Sequence, residues 1–123
     1  MDGVSGSQPL VPFAAVGPNG KAVHDAALID TGAAFSVFPS AWMVRLGIDR
    51  EESMMEVLET AAGTTSMWSG PPVELTIVGE SVPITPCFAD VPIVLFSLSD
   101  ALRGFEVTFD HPKMMFSLRK ASP

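Results

Sequence analysis

A chain of 123 residues is long enough for one domain with a modest buried core, and 47% hydrophobic residues exclude general disorder. The net charge of −7, with no basic block, argues against a nucleic-acid partner, because such a surface repels phosphate. No apolar run approaches the roughly 20 residues of a membrane span, so no membrane contact is expected from this segment, and the lone Cys87 leaves no internal disulfide and fits a cytoplasmic setting.

In chain order, residues 1–9 are polar and read as a flexible lead-in or linker, which leaves room for a partner domain or a membrane anchor in a longer chain. Eleven prolines and ten glycines then cut the chain into short segments, which favours strands and hairpins over long helices. "PLVPFAAV" and "KAVHDAALI" flank the turn cluster "GPNG" and predict a β-hairpin whose second arm ends in Asp30. After "SVFP", Ser40 is expected as N-cap, Ala41 to Leu46 as a helix and Gly47 as its close. "DREESMM" predicts a further helical turn, and "EVLETAA" a strand with Gly63-Thr64-Thr65 at or near a hairpin tip. "VELTIV", a "GE" turn and "VPITPCFAD" predict a strand pair. "PIVLF" reads as a short buried strand and "SDALRGF" as a short helix capped by Ser99 or Asp100. "FEVTFD", "HPK" and "MMFSL" close the chain as a terminal hairpin, leaving 119–123 as a tail. The sum is an all-β fold: a small closed β-barrel with one or two short helices, over residues 10–118.

The segment "ALIDTGAA" (residues 27–34) sets a carboxylate between two apolar runs. A solvent-exposed turn accounts for it if Asp30 and Thr31 bend the backbone and Gly32 supplies a positive φ. A partly buried charge, however, is costly unless something uses or pairs it.

The longer stretch "LIDTGAAFSVFP" resembles the active-site signature of retropepsin-like aspartic proteases, and the order of the flanking elements is similar over roughly residues 10 to 118. The resemblance implies an aspartic endopeptidase of the acid-protease barrel type, acting on polypeptide without metal or other cofactor. In such chemistry two adjacent carboxylates share a proton, one deprotonating water while the other hydrogen-bonds to the substrate carbonyl. It implies Asp30 as the catalytic carboxylate and Thr31 as a hydroxyl locking two active-site loops together. Gly32 would permit close backbone approach, Ala33 would line the cleft floor, and Ala62, Gly63 and Thr64 would belong to a flap. With no second Asp-Thr-Gly or Asp-Ser-Gly, one chain holds half a site, and a two-fold homodimer is implied.

One departure separates this chain from the pattern. The family carries an apolar-apolar-Gly motif before its short C-terminal helix, whereas this chain reads Val94-Leu95-Phe96-Ser97-Leu98-Ser99-Asp100. Many viral members also pair an acid, two positions after the motif glycine, with an arginine beside the later glycine. Here those positions are Ala34 and, most nearly, Ser99, so both charges are missing together. That leaves two alternatives open: a catalytically weak or inactive dimerisation or peptide-binding module on the same fold, and an unrelated β-barrel in which Asp30 bends a turn.

Other residues have plainer readings. His24 and His111 each neighbour an aspartate but lack convergent metal ligands, so both are expected in solvent. Cys87 is expected as a buried, inert thiol, and Met54, Met55, Met114 and Met115 as fillers of core gaps. Trp42 belongs in the core. Trp68 either lines a cleft or packs on the barrel. Asp100 and Arg103 are placed for a surface ion pair.

Overall fold

The computed structural model describes residues 3–6, 9–60, 63–110, 113 and 115–122. After strand β1 (Gly3–Gly6), β2 (Leu10–Val16) buries Val11, Phe13 and Ala15 and turns the residues between them away from the core. That is the period of two that one covered sheet face imposes. β3 (Ala22–Ile29) pairs antiparallel with β2 along its whole length, from Leu10↔Leu28 to Val16↔Ala22. The hairpin turn at "GPNG" also serves helix α1 (Trp42–Leu46): Asn19 Nδ2 donates to the Arg45 carbonyl at 2.9 Å. Gly17 sits so close to the helix end that a Cβ there would fall 2.5 Å from the Leu46 carbonyl oxygen.

Helix α1 ends on Gly47 at φ 75°, as expected, but starts on Ala41 with no side-chain cap. Ser40 is not the cap; its N–H donates to Ala89 O at 2.8 Å, extending the ladder between β4 (Val37–Pro39) and β9 (Cys87–Ala89). The expected second helical turn is a 3-10 turn at Arg50–Glu52, with the Asp49 carboxylate accepting from Glu51 N–H at 2.9 Å. β5 (Met54–Thr60) and β6 (Gly63–Ser69) form the expected hairpin, with residues 61–62 outside the described residues. The methionines beginning β5 do not fill the core: Met54 to Val57 are all exposed, so neither face of the strand is covered there.

The stretch expected as one strand after "VELTIV" is two. β8 (Glu80–Ile84) pairs with β7 (Val73–Ile77), whereas β9 joins β4 and β6 elsewhere in the sheet. Pro86, which has no N–H to donate, falls in the break. The β7–β8 turn centres on Val78 and Gly79 (φ 50° and 74°), one residue earlier than expected. β10 (Val94–Phe96) is central, parallel to β3 and antiparallel to β4. β11 (Phe105–Asp110) and β12 (Met115–Lys120) form the terminal hairpin. β1 pairs with β12, so part of the expected lead-in is a strand, and β12 runs past the expected boundary at 118.

The strands make a nine-stranded sheet, ordered β5-β6-β9-β4-β10-β3-β2-β7-β8, and a three-stranded sheet, β1-β12-β11. The fold is all-β. Among the described residues the long sheet shows no pairing between its ends, so its barrel character comes from wrapping one core rather than from a closed ladder. That core joins Val11, Phe13, Phe38, Trp42, Phe88 and Phe96 of the large sheet and α1 to Phe116 and Leu118 of β12. Phe13 and Phe96 have ring centroids 4.9 Å apart, within the range where aromatic pairs attract. No helix among the described residues is long and apolar enough to cross a membrane.

Candidate active site

Asp30 stands where the central ladder stops. Ile29 N–H donates to Pro9 O at 2.8 Å and Asp30 N–H to Phe96 O at 3.0 Å, so the strand is held on both sides up to its last residue. The chain then turns: Ala33 N–H donates to the Asp30 carbonyl at 3.2 Å, and Gly32 N–H to Asp30 Oδ1 at 3.1 Å. An aspartate accepting from the backbone two residues on is a familiar turn former. The carboxylate is half-buried, while Thr31, Gly32 and Ala34 are exposed and Ala33 is half-buried.

Gly32 has no positive φ, and a Cβ there would make only ordinary contact, 3.6 Å from Asp30 Oδ1. The conformational need that the turn reading assigned to this glycine is therefore not what the backbone requires.

Behind the loop lies a polar network that the sequence did not disclose. Ser36, fully buried, donates its N–H to Asp100 Oδ2 at 2.8 Å and its hydroxyl to Asp100 Oδ1 at 2.5 Å. Its Oγ in turn accepts from Ser97 N–H at 2.9 Å. Ser97, also fully buried, donates its hydroxyl to the Ala33 carbonyl at 2.7 Å and accepts from Ser99 N–H at 3.1 Å. The Ser99 hydroxyl donates to the Ala34 carbonyl. Asp100 is thus committed to Ser36 and to Ala101 N–H rather than paired with Arg103. Residues 98–104 are a series of turns, not the expected helix, because Asp100 faces back to the Asp30 loop and Leu102 N–H reaches Ser97 O at 3.1 Å. Phe96, fully buried beneath this network, anchors it to the aromatic core.

The remaining residues fall into place around this centre. Gly63 and Thr64 are exposed at the end of the β5–β6 hairpin, and Ala62 lies outside the described residues. Trp42 is core, as expected; Trp68 is half-buried on β6 with the Arg50 guanidinium 4.4 Å from its ring centroid. Cys87 is half-buried rather than buried, its Sγ 3.9 Å from Ser69 Oγ, and burial pushes its thiol pKa up, against the activation a nucleophile needs. His24 is exposed and His111 lies outside the described residues; no group of three or more potential metal ligands occurs among the described residues.

A half-buried Asp-Thr-Gly carboxylate at the end of a central strand, on an all-β fold with one such motif, defines the retropepsin-like acid-protease class. Among solved structures, a retropepsin-like aspartic protease from Rickettsia conorii superposes with a TM-score of 0.70 at 17% identity, over 95% of this chain and 98% of that one. The EIAV protease, complexed with the inhibitor HBY-793, gives a TM-score of 0.55 at 23% identity, over 73% of this chain and 81% of that one. The aspartyl protease family model matches residues 14–95, more than half of the chain, and the chain belongs to that family. No curated protein matches the sequence.

Proposed function

We propose that this chain is an aspartic endopeptidase that works as a homodimer, with Asp30 and the Asp30 of a second copy forming one catalytic pair. The observation that carries this reading is the Asp30 loop: a carboxylate held by backbone bonds on an otherwise exposed loop, with one motif per chain. Gly32 supports it as well. The chain's own fold does not demand a glycine there, and its lack of a side chain leaves room for the second copy's loop to approach.

In the assembled site two carboxylates about 3 Å apart hold one proton between them, because both cannot ionise readily at that distance. The ionised one takes a proton from water, whose oxygen bonds the scissile carbonyl carbon. The protonated one hydrogen-bonds to the carbonyl oxygen as charge develops there. Collapse of the tetrahedral intermediate breaks the C–N bond, and the amine leaves with a proton from the pair. Thr31 links the two loops, Ala33 lines the floor, and the β5–β6 hairpin bearing Gly63 and Thr64 covers the bound peptide. The binding-module reading drew on the missing glycine before the C-terminal turns. In that region Ser97 is fully buried with its hydroxyl satisfied and Leu98 is exposed, so the fold forms without the glycine.

The test is hydrolysis of an unstructured polypeptide across pH. A shared proton gives a bell-shaped profile favouring acidic to mildly acidic conditions and inhibition by a statine-type compound. A flat profile, insensitive to that inhibitor and abolished by a chelator, contradicts the proposal.

A further inference from the structure

The geometry points to Ser97 and Ser99 as positioning residues, whose hydroxyls fix the Asp30 loop by its Ala33 and Ala34 carbonyls; the catalytic part of this inference rests on Asp30 being the reacting carboxylate.

Ala34 stands where the resembling viral enzymes carry an acid and Ser99 most nearly where they carry an arginine, and neither residue has charge. The structure nevertheless brings them together, through the Ser99 hydroxyl and the Ala34 carbonyl. This contact uses a neutral donor and a backbone acceptor. Ser97 supplies the second tie, to the Ala33 carbonyl at 2.7 Å; its oxygen lies 2.8 Å from Ser99 Oγ, and the two ties place the single proton of each hydroxyl on its own carbonyl. Ser97 is also the junction to the deeper network: its N–H donates to Ser36 Oγ, and Ser36 is held by Asp100.

The effect is to fix successive peptide units just beyond Asp30. Asp30 itself is bound from within this turn, through Gly32 N–H on its carboxylate and Ala33 N–H on its carbonyl. If the Ala33 and Ala34 carbonyls are released, the turn carrying those two N–H groups loosens, and the carboxylate loses its fixed direction. Proton sharing across a two-fold axis depends on that direction, so the loss falls on the chemical step rather than on peptide binding.

The decisive variants are Ser99→Ala and Ser99→Thr, because Ser99 is exposed and its replacement leaves no hole in the core. Amide hydrogen exchange at Ala33 and Ser36 reads the loop directly, and kcat, KM and the pH–rate profile read the chemistry. Ser99→Ala is expected to speed exchange at both amides and to lower kcat about five- to tenfold, the scale of one hydrogen bond, with KM unchanged and the pH–rate profile displaced. Ser99→Thr keeps the hydroxyl and restores both readings. A purely structural serine would shift Tm and leave the pH profile in place.

Unchanged exchange in Ser99→Ala, or a threonine variant that behaves like the alanine one, overturns the inference. Should the wild-type protein hydrolyse nothing at any pH, the catalytic reading of Asp30 falls, and the exchange experiment alone still decides whether the serines hold the loop. Ser97→Ala serves as the second variant. It is expected to show the larger loop effect, since it frees the Ala33 carbonyl and Ser99 N–H together.

Discussion

Asp30–Ala34 and Gly63–Ser66 are both short stretches rich in glycine, threonine and small residues, yet the fold treats them differently. The first is tied to the fold at both ends: Asp30 N–H to the Phe96 carbonyl at the strand end, and the Ala33 and Ala34 carbonyls to the Ser97 and Ser99 hydroxyls behind it. The second belongs to a hairpin at the sheet edge, where Met54 is 70% and Val57 60% exposed although both are apolar. Fixing the first region and leaving apolar side chains uncovered in the second fits the proposed site, with the loop as a rigid floor and the hairpin as a covering arm. The floor must hold a carboxylate in one direction, whereas the arm gains its burial when a peptide lies beneath it.

The largest effect that would break this contrast is at the carboxylate. Asp30→Asn is expected to lower hydrolysis by roughly 10²–10⁴-fold, the range for losing a general acid–base group, with folding unaffected. Retained activity would mean that the fixed loop is not the reacting floor.

Next in size is Asp100→Ala. It removes the acceptor of Ser36 N–H, the Ser36 hydroxyl and Ala101 N–H at once. Leaving these donors unsatisfied is expected to cost about 2–4 kcal/mol of stability, read as a lower urea midpoint. Asp100→Asn, which keeps one carbonyl oxygen, should lose less.

The smallest stability effect is expected in the covering arm. Val57→Thr changes an exposed residue on an edge strand and is expected to move stability by no more than about 0.5 kcal/mol, while raising KM for a polypeptide substrate. If Val57→Thr and Asp100→Ala destabilise the protein equally, the distinction between floor and arm is wrong.

Much of the floor was legible from residues 27–34 because the motif is contiguous, and a strand running into Asp-Thr-Gly is a local pattern. The first hairpin, the helix near Trp42 and the terminal hairpin were legible for the same reason. The network behind the loop was not, because Ser36 and Asp100 are 64 positions apart and serine carries no hydropathy pattern. One signal was nonetheless present. Ser36 and Phe38 alternate inward across Val37, so a strand reading of "FSVF" puts a polar side chain on the buried face, and a buried hydroxyl needs a partner. The helix expected at 99–105 failed through the same long-range bond: Asp100, read as a cap or as a partner for Arg103, is claimed by Ser36. Gly32 misled in the opposite direction. A glycine in a turn suggests a positive φ, and here the backbone does not use one.

The central claim, that one site is built from two copies of Asp30, is tested most directly by mixing subunits. Wild-type chain at constant concentration is titrated with Asp30→Asn chain, and subunit exchange is verified with differently labelled protomers. Each mixed dimer keeps one Asp30 but lacks the proton-sharing partner, so hydrolysis should decline as mixed dimers accumulate, well below the level set by the wild-type chain alone. With exchange confirmed, activity that follows wild-type concentration and ignores the added variant would contradict the account.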